Sequence, residues 1–171
     1  MDNTQIWLDF MDLANSILIN GQKINKYASN VQLIVEPSFD NHVLLQLTWD
    51  NNDVQWYRTT WQKLIDTKKI NDPIVNLKYI GKQIQPTISY ENGTTDLKQI
   101  QGIIDQIKQI LIKPQIDKWG GIVLDGCYYT LIIGVESTQV TYKWHHLPDK
   151  WDDLEKIVGL MVEFNEKCTC S

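Results

Sequence analysis

The sequence predicts an α+β fold in which antiparallel β-hairpins pack against amphipathic helices, with residues 1–171 forming a single domain. Three observations carry this. Two stretches alternate apolar and polar residues across strong turn signals, around Asp50-Asn51-Asn52-Asp53 and around Gly134–Ser137. Three other stretches repeat apolar residues at helical spacing. No Gly/Ser linker or low-complexity tract interrupts the 171 residues, a length at which one domain buries enough surface to fold without disulfide or metal.

Taken in order, residues 4–19 read as a helix. Ile6, Phe10, Leu13 and Ile17 fall at helical spacing, Thr4 is available as a cap, and Asn20-Gly21 supplies a left-handed stop. A competing reading makes Asn20-Gly21 a hairpin turn, but the helical period starts well before it. Val31–Glu36 is a strand ending at Pro37. His42–Trp49 and Val54–Thr60 form a hairpin, with Val43, Leu45, Leu47 and Trp49 on one face of the first strand and Val54, Trp56 and Arg58 on one face of the second. A short helical turn follows near Trp61, Leu64 and Ile65. Thr87–Tyr90 reads as a short strand closed by Asn92-Gly93.

Asp96–Ile112 carries the clearest helical stripe, Leu97, Ile100, Ile104, Ile107 and Leu111, widened by Ile103 and Ile110, with Thr94 or Thr95 as its cap. Its isoleucines have poor intrinsic helix propensity, so packing must stabilise it. Gly121–Leu124 reads as a strand before the Asp125-Gly126 turn. Cys127–Ile133 and Thr138–Trp144 form the second hairpin. A last helix begins near Asp149, its buried stripe Trp151, Leu154, Ile157, Val158 and Met161. Leu45–Trp61 and Leu131–Trp151 echo each other as hairpin followed by helix, which suits two hairpin-plus-helix halves.

Charge narrows the function classes. The formal charge is −5, and Arg58 is the only arginine among 16 basic residues. Phosphate neutralisation supplies most nucleic-acid affinity, and arginine is the favoured side chain for it, so nucleic acid is not the expected partner. An anionic membrane surface is equally ill-suited, and no apolar run is long enough to span a bilayer. The acidic start, with Asp2, Asp9 and Asp12, does not read as a signal peptide, and the three cysteines are an odd count for a disulfide framework. The expectation is a reduced, cytoplasmic protein.

Catalytic and cofactor signatures are missing: no phosphate loop, zinc-protease, nucleophile-elbow or EF-hand pattern is present. His145 and His146 are adjacent and point to opposite sides of an extended chain. A zinc set of His145, His146, Cys168 and Cys170 therefore lacks the usual separated ligand pairs. Cys127 begins a strand and reads as a small buried hydrophobe rather than a nucleophile served by His145 or His146. The expectation is a non-enzymatic protein without metal or cofactor. Seven tryptophans remain to be placed. Most read as core; Trp61 and the indoles flanking His145-His146 are expected to be partly exposed.

The run LDGCYYTLIIG…VTYKWHHLPDKWDDLEKIV, with the earlier LTWDNNDVQWYRTTWQKLID, resembles small bacterial proteins of the immunity class that accompany toxin effectors. Cys127 and His145-His146 depart from that pattern, and the resemblance assigns no functional residue. It implies a monomeric or homodimeric scaffold that binds and blocks a protein partner. An acidic chain suits a basic toxin domain through steering and charge pairing. The contact expected from the sequence is the acidic start of the last helix beside its aromatic neighbours: His145, Asp149, Trp151, Asp152, Asp153 and Glu155. The alternative reading is a small-molecule or carbohydrate-binding module using exposed aromatics.

Overall fold

The structure, a computed structural model, describes residues 3–20, 29–50, 53–71, 85–110, 126–135, 138–145 and 151–169. Among these residues, six strands form one antiparallel sheet: β1 Ser29–Pro37, β2 His42–Asp50, β3 Asp53–Trp61, β4 Ile88–Asp96, β5 Cys127–Val135 and β6 Thr138–Trp144. Their spatial order is β4-β3-β2-β1-β5-β6. The central pair is β2 and β1, and β1 joins the two hairpins that the sequence announces. It pairs Leu33 with Leu45 on one side and with Leu131 on the other. A strand in that position needs apolar residues of both parities, because both of its faces are covered. Val31, Leu33 and Ile34 meet that need, and all three are buried.

Helices cover both faces. Helix α1 spans Asn3–Asn20 and α2 spans Lys63–Asn71; α3 spans Gln101–Gln109, after a 3₁₀ turn at Leu97–Ile100, and α4 spans Asp152–Thr169. The larger core lies under α3 and α4. It joins Val31, Leu33, Leu45, Leu47, Val54 and Leu131 of the sheet to Ile103, Ile104, Leu154, Ile157, Met161 and Phe164 of the helices. A smaller core lies on the other face, where Ile34, Leu44 and Trp61 meet Phe10, Ala14 and Leu18 of α1 and Ile70 of α2. The strand alternation sorts residues between these cores as the sequence predicts: Leu131 and Trp144 belong to the larger, and Ile132 packs against the smaller. The hairpin-plus-helix echo is also visible, with a difference of side: the helix after β3 packs on one face and the helix after β6 on the other.

Four details depart from the sequence reading. In α1 the buried stripe is Phe10, Ala14 and Leu18, whereas Leu13 is exposed and Ile17 half-buried. A small residue at position 14 lets the helix approach the sheet, which turns the stripe one residue from the one marked by large side chains alone. Thr4 and Ile6 side chains and Gly21 lie outside the described residues. Asn92-Gly93 does not close a strand, because β4 runs on to Asp96 in register with all of β3. Gly93 sits opposite Trp56, and a Cβ there would lie 2.7 Å from the indole nitrogen, so glycine makes room for the ring. Thr94 and Thr95 are consequently strand residues, and the carboxylate of Asp96 caps the following turn by accepting from Gln99 N at 3.2 Å. Finally, Trp61 is 0% exposed and Trp144 is buried. Of the aromatic ends expected to be partly exposed, these two are core, Trp61 because its indole has a buried acceptor in Asp66, while Trp151 is half-buried as expected. The predicted strand Gly121–Leu124 lies outside the described residues. No described helix is long and apolar enough to cross a membrane.

Candidate functional site

The densest polar chemistry lies where α2 meets the β1–β2 turn. Asp66 of α2 is 1% exposed. Its carboxylate accepts from Trp61 Nε1 at 2.9 Å, Thr87 N at 2.8 Å and Thr87 Oγ1 at 2.6 Å, and pairs with Lys69 Nζ at 3.2 Å. Burial pushes this carboxyl upward, but the bonds from Thr87, Trp61 and Lys69 outweigh it and hold the group below its ordinary range. The network anchors α2 to β3 and to the residue that precedes β4.

One turn earlier on α2, the Lys63 ammonium reaches three acceptors: Pro37 O at 3.3 Å, Ser38 O at 3.0 Å and His42 Nε2 at 3.0 Å. An ammonium has three protons and no acceptor capacity, so all three are committed and His42 must be unprotonated at Nε2. His42 Nδ1 then faces Asn15 Oδ1 of α1 at 3.3 Å, with Glu36 Oε1 at 3.8 Å. The ring stands edge-on to Trp61, 4.9 Å between centroids. Burial, reinforced by the Lys63 charge, lowers the imidazole to about 4. Burial likewise raises Glu36, against the pull of Lys143 and Lys63, and lowers Lys63, against the pull of Glu36.

These bonds fix the turn that carries Phe39. Besides the two Lys63 contacts, Ser38 N donates to Gly126 O at 2.8 Å, and Asn41 bridges to α2 by donating to Gln62 Oε1 and accepting from Leu64 N. The product of all this restraint is a phenylalanine 72% exposed. Tyr128, 53% exposed, lies on the adjoining strand end, since Glu36 and Tyr128 are register partners. Its ring meets that of His145 edge-on at 4.6 Å. Gly126, at φ +151°, keeps that place open, because a Cβ there would run into the His145 ring.

Of the residues expected at the contact, His145 therefore belongs to this end of the sheet. Asp152 and Glu155 are exposed in the first turn of α4, where a helix favours anions, while Asp153 pairs with Lys156 at 3.2 Å. Trp151 is half-buried, edge-on to Tyr142 at 6.2 Å, and its indole N–H meets no acceptor among the described residues. Asp149 lies outside the described residues, as do His146 and Cys170 of the considered zinc set. The Cys127 thiol lies 3.6 Å from Tyr128 O, and burial raises it above the ordinary thiol range, the reverse of nucleophile activation. Burial raises Cys168 as well.

Phe39 and Tyr128 escaped the sequence reading. The available signal was a phenylalanine inside Pro37-Ser38-Phe39-Asp40-Asn41, where turn chemistry calls for polar residues. Compared with known family models, curated proteins and solved structures, the chain matches none.

Proposed function

We propose that this chain is a non-catalytic binding protein that neutralises a basic protein partner in the cytoplasm, in the manner of the immunity proteins its sequence pattern resembles. The observation that carries the reading is the Phe39 turn. A large apolar side chain held in solvent by a restrained backbone loses little entropy on docking, which is what an interface anchor requires. Tyr128 and His145 extend the aromatic surface from the neighbouring strand ends. Exposed carboxylates at Asp152 and Glu155 steer a cationic partner and add little to the affinity itself.

The test is co-expression with a basic toxin domain encoded by an adjacent reading frame. Protection from growth arrest, weakened at least tenfold in affinity by Phe39→Asp and slowed in association by Asp152→Lys with Glu155→Lys, supports the proposal. An adjacent toxin whose activity and binding ignore this chain sinks it. Aromatic ligand capture is less well supported. Of the described tryptophans, Trp61 and Trp144 are buried and Trp7, Trp49, Trp56 and Trp151 half-buried, so none stands largely in solvent as Phe39 does.

A further inference from the structure

We propose that the Lys63–His42 contact is an acid-released latch on the Phe39 turn: a proton taken up at His42 Nε2 expels the Lys63 ammonium and frees the α2 side of the turn while the sheet stays folded. Geometry makes the contact exclusive of protonation. Lys63 Nζ stands 3.0 Å from His42 Nε2, and two N–H donors cannot share that line. The same ammonium holds Pro37 O and Ser38 O, so its departure removes both carbonyl partners of the turn together.

Lys63 is also the first residue of α2, flanked by Gln62 and Leu64, the two residues that Asn41 bonds. Displacing Lys63 therefore strains the Asn41 bridges as well. The Ser38 amide behaves differently from its carbonyl, because it is tied to Gly126 O, just before β5, and not to α2. The turn is thus held by the latch through the Pro37 and Ser38 carbonyls and by the sheet side through the Ser38 amide.

The groups around His42 set the direction. From α2 comes Lys63, from β1 Glu36 at 3.8 Å, from α1 the neutral Asn15, and from β3 the edge-on ring of Trp61; Lys143 of β6 acts on Glu36. Glu36 is the one anion among these that offsets two adjacent cations. It takes up its own proton early, since burial raises its carboxyl, so acid withdraws that compensation while it charges the imidazole. The consequence for a partner rests on the function proposed above: acid would loosen the anchor that the turn presents.

The experiment follows amide protection and the His42 ring protons by NMR on the free chain from pH 7 downward. The Asn41 side-chain amide and the Leu64 backbone amide, which bridge the turn to α2, are expected to lose protection, ~10-fold or more, at the midpoint of the His42 titration. Ser38, Leu33 and Leu131 amides stay protected. His42→Gln keeps an acceptor for Lys63 but takes up no proton, and is expected to abolish the transition although Glu36 still titrates. Three results would overturn the latch: turn protection unchanged through the His42 midpoint, turn and sheet amides lost together, or the transition persisting in His42→Gln. Should that variant not fold, coincidence of the His42 and turn midpoints in the unaltered chain decides. No partner is needed, so failure here leaves the binding proposal standing, and failure to bind a toxin leaves the latch standing.

Discussion

Replacing Asp66 by alanine is the sharpest test of how the small core is held. The carboxylate is 1% exposed and takes two bonds from Thr87, one from the buried Trp61 indole and one from Lys69. Lys69 is half exposed and rehydrates at little cost. The other donors do not: a buried donor left unmade costs about 1–3 kcal/mol, and breaking a buried charge network costs about 3–5 kcal/mol in all. Asp66→Ala is therefore expected to destabilise the fold by about 3–5 kcal/mol. Asp66→Asn, which keeps one carbonyl acceptor, is expected to cost about 2 kcal/mol. The assay is denaturant unfolding followed by tryptophan fluorescence, with Trp61→Phe completing a double-mutant cycle. The folded carboxyl lies below its ordinary value, so its contribution is present above the unfolded carboxylate range. It is lost as pH falls through the folded pKa. The loss on Asp66→Ala should accordingly shrink in strong acid. A cost under about 1 kcal/mol near neutral pH, or no coupling to Trp61, refutes the account.

Other expectations follow from the same packing. Leu18→Ala should cost about 2–5 kcal/mol, whereas Leu13→Ala should cost under about 1 kcal/mol; equal costs would reject the placement of Phe10, Ala14 and Leu18 against the sheet. Gly93→Ala pushes a Cβ into the Trp56 indole and should cost about 1–3 kcal/mol, relieved when Trp56 is also shortened, which thermal unfolding of the pair will read. Phe39→Ser should leave stability within about 0.5 kcal/mol, because the ring is largely in solvent. A larger loss would mean the ring packs on the fold rather than awaiting a partner.

Both hairpins, their inward and outward faces and the helices that follow them are legible in the chain alone. Local signals carried that much: alternation in His42–Thr60 and Cys127–Trp144, and the isoleucine stripe after Asp96. The place of Gly93 is not legible there, because a glycine after asparagine is locally a turn signal and becomes a strand residue only when Trp56 needs the space above it. The burial of Trp61 is hidden for the same kind of reason. Nothing within a few residues says that the Asp66 carboxylate and Thr87, 26 residues beyond Trp61, close a buried network around the indole.

The candidate site divides along the same line. That Asp152 and Glu155 stand exposed at the start of the last helix was legible, since charge and helix position are local properties. Phe39 and Tyr128 were not, because exposure of an apolar ring depends on which strands run beside it. Period and turn chemistry thus determined the elements and the faces they present. Tertiary structure alone decided that β1 lies between the two hairpins, that the two hairpin helices cover opposite faces, and that Lys63 reaches across to the turn at Pro37 and Ser38. The physical reason is range. A hydrophobic period is summed over neighbours in the chain, whereas a buried hydrogen-bond network is satisfied by groups that only the folded sheet brings within about 3 Å.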